Sequence, residues 1–216
     1  MRKGAGDLHG GKGGECLAAG EKGWAGARSV QARVLMFHKP KGVVVTASDE
    51  LGRKTVYDLL PAWLRGEGWV PAGRLDRDSR GLLLFVREGR LVEALTRPGG
   101  LARIYEAEVR GHVQESQIPV LLDGVDTPAG HLRCSSAQIL AYHGPKTRLR
   151  VVLDEGRNRH VRRLFGALRD ERHGTPLKVL DLKRIAYGLV ELDLPSGRWR
   201  FLEPREERSL ISTTGR

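Results

Sequence analysis

Cysteine is nearly absent: the 216 residues hold two, Cys16 and Cys134. Two thiols build neither a disulfide framework nor a four-cysteine zinc site, so reduced thiols in a cytoplasm are the expectation. Aromatic residues are scarce as well, at 6%. The longest apolar run, residues 81–86, is strand-length and far short of the ~20 residues of a membrane span. The N-terminus lacks the apolar stretch of a secretory signal, and no basic amphipathic helix carries the large apolar anchors of a membrane-surface binder. Glycine-rich nucleotide fingerprints are missing: there is no Gly-x-Gly-x-x-Gly and no P-loop. Acidic residues are in deficit, 26 against 37 Lys+Arg, which leaves a net charge of +11. A surplus of that size points to a polyanionic partner, usually nucleic acid.

What is present fits a folded chain of one large or two small domains, with 40% hydrophobic and 29% charged residues. Residues 1–33 hold nine of the 28 glycines and no sustained apolar period. They read as a disordered, glycine-rich basic tail, either an RNA-touching arm or an over-extended start of the reading frame. The folded domain is expected over 34–208, with a C-terminal tail at 209–216. Strands are expected at 34–38, 43–46, 81–86, 104–109, 149–153, 185–187, 190–194 and 198–202. Helices are expected after Thr55, over 90–96 and 118–122, and after Asn158 as N-cap, with Val161, Leu164, Phe165 and Leu168 as the apolar stripe. Strands that outnumber helices, mostly joined as hairpins, make an α+β fold with a large, mainly antiparallel sheet.

Three segments can carry chemistry. In Gly73-Arg74-Leu75-Asp76-Arg77-Asp78-Ser79-Arg80-Gly81, a polar loop feeds a buried strand, a common way to hold a reactive side chain on a rigid element. Arg74, Arg77 and Arg80 lie within four residues of Asp76 and favour its anionic form. The same spacing fits a polar turn with a local salt bridge, or an Asp76/Asp78 pair on Mg²⁺, although no further clustered carboxylates complete an oxygen site. In Glu155-Gly156-Arg157-Asn158-Arg159-His160-Val161-Arg162-Arg163, the stripe turns inward and leaves Arg159, Arg162 and Arg163 mostly toward solvent. That face suits phosphates, and equally an ordinary exposed helix face. In Arg103-Ile104-Tyr105, a period of two puts Tyr105 on the face of Ala107 and Val109, as a core tyrosine or as a base-stacking one.

The Gly73–Gly81 segment with Leu82-Leu83 resembles the signature of bacterial rRNA pseudouridine synthases of the RsuA/RluB/RluE/RluF family. So do His38-Lys39-Pro40-Lys41-Gly42-Val43, the block from Asp49 to Pro61, Arg103-Ile104-Tyr105, and Glu155 to Arg163. The likeness runs in order from Val34 to Glu207. It implies a pseudouridine synthase fold: two α+β subdomains sharing a mixed, mostly antiparallel sheet, with a central basic cleft. By the same resemblance Asp76 is the catalytic aspartate, Tyr105 packs on the target base, and Arg157 pairs with the catalytic carboxylate. Arg74 helps displace the flipped nucleotide, while Lys39, Lys41, Arg159, Arg162 and Arg163 are the expected RNA contacts. No cofactor and no metal are implied, because the reaction is an isomerisation.

The family's S4-like RNA-binding domain is expected to be missing ahead of residue 34. That resembles the large-subunit synthase E and favours 23S rRNA over 16S. A monomer is expected, with structured rRNA as partner and no membrane. Three departures from the family pattern stand out: His38 for Asn, His160 for Gln, and a longer polar segment at 169–176. The competing expectation is a non-catalytic rRNA-binding or ribosome-assembly factor on the same fold. A third is a Mg²⁺-dependent nuclease.

Overall fold

The computed structural model describes residues 33–214, so the tail expected at 1–33, including Cys16, lies outside the described residues except for Arg33. β1 (Val34–Lys39) is followed by a 3-10 turn, Val56–Leu59, and by α1 (Ala62–Gly66) and β2 (Val70–Pro71). Next come β3 (Arg80–Val86), α2 (Gly89–Thr96), β4 (Arg103–Arg110), α3 (Gln117–Asp123), β5 (Val125–Thr127) and β6 (Gly130–Leu132). β7 (Ser136–His143), β8 (Lys146–Leu153) and α4 (His160–Gly166) precede β9 (Lys178–Tyr187). β10 (Val190–Glu191), β11 (Trp199–Phe201) and α5 (Pro204–Thr214) close the chain.

Nine strands form one sheet in the order β11-β1-β3-β9-β4-β8-β7, with β2 on β3 and β10 on β9. β5 and β6 make a separate hairpin. The large sheet is antiparallel except at its centre, where β3 meets β9 in parallel through Arg80↔Lys183 and Gly81↔Arg184. The expected α+β architecture is therefore present.

β1 and β3 are apolar at consecutive positions because both of their faces are covered. Met36, Leu82, Leu84 and Val86 pack with Leu91 and Leu95 of α2 and Leu210 of α5. Leu35, Phe37, Leu83 and Phe85 pack with Val56, Leu64 and Trp69 on the other side. Across the seam this second core continues into Tyr105, Ala107, Leu149 and Val151, capped by Leu164 and Phe165 of α4. The opposite face of β4 and β8 is polar, with Glu106–Arg148 at 2.7 Å and Glu108–Lys146 at 2.9 Å.

Several expectations need correction. Residues 43–46 form no strand; Val44 makes a single bridge to Thr55, and Gly42 turns the chain toward Arg77. Thr55 and Asp58 do bond, backbone N–H to carboxylate at 2.7 Å, but Pro61 follows at once and only a 3-10 turn forms. Asn158 is not the N-cap of α4. Arg159 holds that place in a left-handed conformation, φ 52° and ψ 32°, while the Asn158 Oδ1 accepts from Arg163 Nη2 at 3.1 Å. The tail expected from 209 begins inside α5, where Leu210 is fully buried.

Gly81 marks the seam. Its φ is 113°, and a Cβ there would lie 2.2 Å from the Arg184 carbonyl oxygen. No side chain fits between two backbones that close. Gly81→Ala should lower the urea-unfolding free energy by about 2–3 kcal/mol, from overlap together with the unfavourable φ. An unchanged midpoint would mean that the strands part at little cost.

Candidate active site

The loop before β3 is stapled from below. Lys39, at the end of β1, is wholly buried, and its Nζ donates to the carbonyls of Ser79 at 2.8 Å, Pro40 at 3.0 Å and Arg77 at 3.4 Å. The Gly42 N–H bonds the Arg77 carbonyl at 2.8 Å, and the Ser79 N–H closes a turn on the Asp76 carbonyl at 3.0 Å. Asp76 thus sits on a turn fixed at both ends, its side chain 22% exposed.

Helix α4, from the other side of the seam, supplies the charges. Arg159 Nη1 lies 3.7 Å and Arg162 Nε 3.8 Å from Asp76 Oδ2. The same two guanidinium groups approach Asp78 at 3.6 and 4.0 Å. Among the described residues, Arg159 is the sole non-glycine with a positive φ. Strain of that kind costs of order 1–3 kcal/mol and collects at functional sites; here it opens α4 directly beside Asp76. Two carboxylates facing two guanidinium groups make a poor seat for a divalent cation, whose charge the guanidinium groups would repel.

Asp76 faces a narrow recess of ≈ 110 Å³, also lined by Tyr105, Leu153, Leu182 and His160. Tyr105 is buried at the recess wall, placed by its pairing with Val151 and Arg184 in the sheet. A wider groove of ≈ 750 Å³ runs from Asp76 between residues 44–53 and 156–159, bordered by Arg74, Arg77, Arg157 and Arg159.

The predicted residues therefore divide. Asp76, Tyr105, Arg74 and Arg159 meet at the recess, and Arg74 is exposed there. Arg157 borders it without pairing with Asp76: its Nε bonds Glu155 at 3.0 Å and its Nη1 the His131 carbonyl of β6 at 2.9 Å. Glu155, two residues away in sequence, captures it first. Arg162 points inward rather than to solvent, its side chain 10% exposed. It donates to the carbonyls of Val179 at 2.8 Å and Asp78 at 3.2 Å. Lys39 is withdrawn from any phosphate by its burial. Lys41 remains half-exposed and pairs with Asp181, which Arg80 also holds at 2.7 Å. Arg80 and Arg77 are likewise not partners of Asp76, since Arg77 Nε donates to the Gly42 carbonyl at 3.3 Å.

Two cavity-wall arginines escaped sequence reasoning. Arg103 is buried, donates to the Leu95 and Thr96 carbonyls at 3.3 and 3.2 Å, and lies 5.2 Å over the Tyr187 ring. Arg184, also buried, donates to the Leu82 carbonyl at 2.7 Å across the seam. The period of two from Tyr105 back to Arg103 was one available signal. His160 is buried too, and its Nε2 donates to the Arg133 carbonyl at 2.9 Å. Burial lowers its pKa, with the carbonyl contact opposing, which favours the neutral ring. His38 is held by the Leu194 carbonyl at 2.7 Å. The polar segment at 169–176 folds around Asp170, whose carboxylate accepts backbone N–H groups from Arg172 at 2.9 Å and His112 at 3.1 Å.

Comparison with known proteins agrees with this architecture. The RNA pseudouridylate synthase family description fits residues 33–167. A protein named ribosomal large subunit pseudouridine synthase B from Pseudomonas aeruginosa is 41% identical over 193 residues, covering 88% of this chain and 48% of the relative. The protein of that name from Vibrio vulnificus is 38% identical over 180 residues, covering 82% and 54%. The chain thus spans about half the length of the curated relatives it matches. A solved structure described as a crystal structure of pseudouridylate synthase superposes with a TM-score of 0.70 at 27% identity, over 83% of this chain and 74% of that one. With its sheet, its Asp76 turn and its sequence in agreement over that span, the chain belongs to the RNA pseudouridylate synthase family.

Proposed function

We propose that this chain converts a specific uridine of large-subunit rRNA to pseudouridine, with Asp76 as the catalytic carboxylate. The observation that carries the reading is Asp76 itself, a carboxylate on a braced turn, flanked by two guanidinium groups and opening on a recess walled by Tyr105. The names of the relatives support the substrate class. A uridine stacked in RNA cannot meet a recessed carboxylate, so it is extruded first. The C1′–N1 bond then breaks, either by attack of Asp76 on C1′ or by its removal of a ribose proton. The freed uracil turns and C5 bonds to C1′, displacing Asp76 from C1′ or drawing the ribose proton back from it; the proton on C5 then leaves and N1 regains one. Atoms balance within the nucleotide, so the reaction consumes no co-reactant.

In this reading Tyr105 packs on the base, Arg159 and Arg162 flank the Asp76 carboxylate, and Arg74 and Arg157 border the path of the strand. The protein works as a cytoplasmic monomer on structured rRNA, 23S being favoured. Pseudouridine mapping of rRNA from cells with and without the protein tests the proposal. One uridine should lose its modification; an unchanged map would favour a non-catalytic rRNA-binding factor.

Phosphate contacts can be sorted by salt dependence. Arg159→Ala should reduce the slope of log affinity against log salt by roughly 0.7, one phosphate on a single-stranded segment. Arg162→Ala should leave the slope nearly unchanged, because that guanidinium is spent on protein carbonyls. Equal slope changes in the two variants would show that Arg162 also reaches RNA.

A further inference from the structure

Across the groove from Arg157 and Arg159 lies the loop of residues 46–53, and on it Leu51 is 74% exposed. A lone surface leucine ordinarily calls for no explanation. This one differs in place and in support. It borders the groove that contains Asp76, whereas the other strongly exposed leucine of the described residues, Leu189, does not. Its loop is also braced. The Asp49 carboxylate accepts the Arg53 backbone N–H at 2.8 Å and its Nη2 at 2.6 Å, and Arg65 Nη2 reaches the Ala47 carbonyl at 3.1 Å. Gly52, with φ 65°, turns the chain directly after the leucine. An apolar side chain is therefore held in water by a stiff turn whose nearest cation, Arg53, is already neutralised by Asp49.

Extruding a base opens the stack, and leucine is among the apolar side chains that proteins insert between base steps of nucleic acids. We propose that Leu51 is a wedge that enters the stack beside the target uridine and stabilises the extruded state. This rests on the pseudouridine synthase reading above. Arg74, on the Asp76 loop, lines the same groove.

The test uses the full chain and two RNAs: a stem-loop built around the mapped uridine, and a short unstructured oligonucleotide with the same neighbours. Leu51→Ala should lower kcat/KM on the stem-loop by about ten- to hundredfold and on the unstructured RNA by less than about twofold. With 2-aminopurine placed next to the uridine, the parent should brighten the stem-loop on binding, Leu51→Ala should do so weakly, and Leu51→Met, which keeps a non-aromatic wedge, should retain the signal. Equal losses on both RNAs, no loss on either, or unchanged brightening in Leu51→Ala would overturn the wedge. A parent that converts neither RNA would overturn the functional reading itself, and the wedge with it.

Discussion

Asp76→Asn should yield no detectable pseudouridine while leaving RNA affinity within about tenfold of the parent, roughly 1.4 kcal/mol. The amide keeps the size and polarity of the carboxylate but lacks its charge, so neither attack on C1′ nor removal of a ribose proton is available to it. Arg159 and Arg162 would then face each other across a neutral group, though both retain Asp78 at 3.6 and 4.0 Å. Stability should fall only modestly for that reason. Asp78→Asn is the control: that carboxylate is more exposed, at 58%, and its loss should leave measurable turnover. Chelation by EDTA should not slow the parent. Conversion at the parental rate by Asp76→Asn would defeat the mechanism, and strong EDTA inhibition would revive a metal-dependent reading.

The second large effect belongs to Lys39. Lys39→Met preserves length and apolar bulk but takes this donor from the Ser79 and Pro40 carbonyls, while the Arg77 carbonyl keeps the Gly42 N–H at 2.8 Å. Buried acceptors left unpaired cost about 1–3 kcal/mol each, so a loss of about 3 kcal/mol or more is expected. In a domain of this size that corresponds to a fall in Tm of roughly 6–12 °C. Activity should fall with it, because the same carbonyls fix the Asp76 turn. A pH signature accompanies the change. Burial lowers the Lys39 pKa from 10.5 to about 8, Asp76 and Asp78 opposing the drop. Between those values the unfolded chain holds a proton that the folded one has released, so Lys39 makes stability rise with pH across that window. Urea midpoints measured from pH 8 to 10 should show this rise in the parent and lack it in Lys39→Met. A variant as stable as the parent at every pH would mean that the Ser79 and Pro40 carbonyls are satisfied in another way.

What could be read from the sequence follows physical lines. The run at 81–86 announced a strand because both faces of β3 are covered, and β4 announced itself by alternation because one face is. β7 was missed: it is an edge strand in which Ser136, Gln138 and His143 are exposed, so its apolar signal is thin. Asp76 and Tyr105 were legible as members of local patterns. The partner of Asp76 was not, since choosing among Arg157, Arg159 and Arg162 depends on how α4 docks against a loop some eighty residues earlier. Arg157 was the wrong choice because Glu155 lies within reach on the same loop. Lys39 was read as a phosphate ligand from its charge, and only the packing around β1 shows that its charge faces inward.

The parallel seam at Gly81 and Arg184 divides the groups proposed for catalysis. Asp76 and its lysine brace come from the strands on one side, Tyr105 and both guanidinium groups from the other. Neither portion holds a complete reaction centre. Turnover is therefore a readout of assembly: a chain whose two portions fold but fail to dock would keep most of its secondary structure and form no product. Damage at the seam should abolish the proposed activity at denaturant concentrations where circular dichroism still reports native structure.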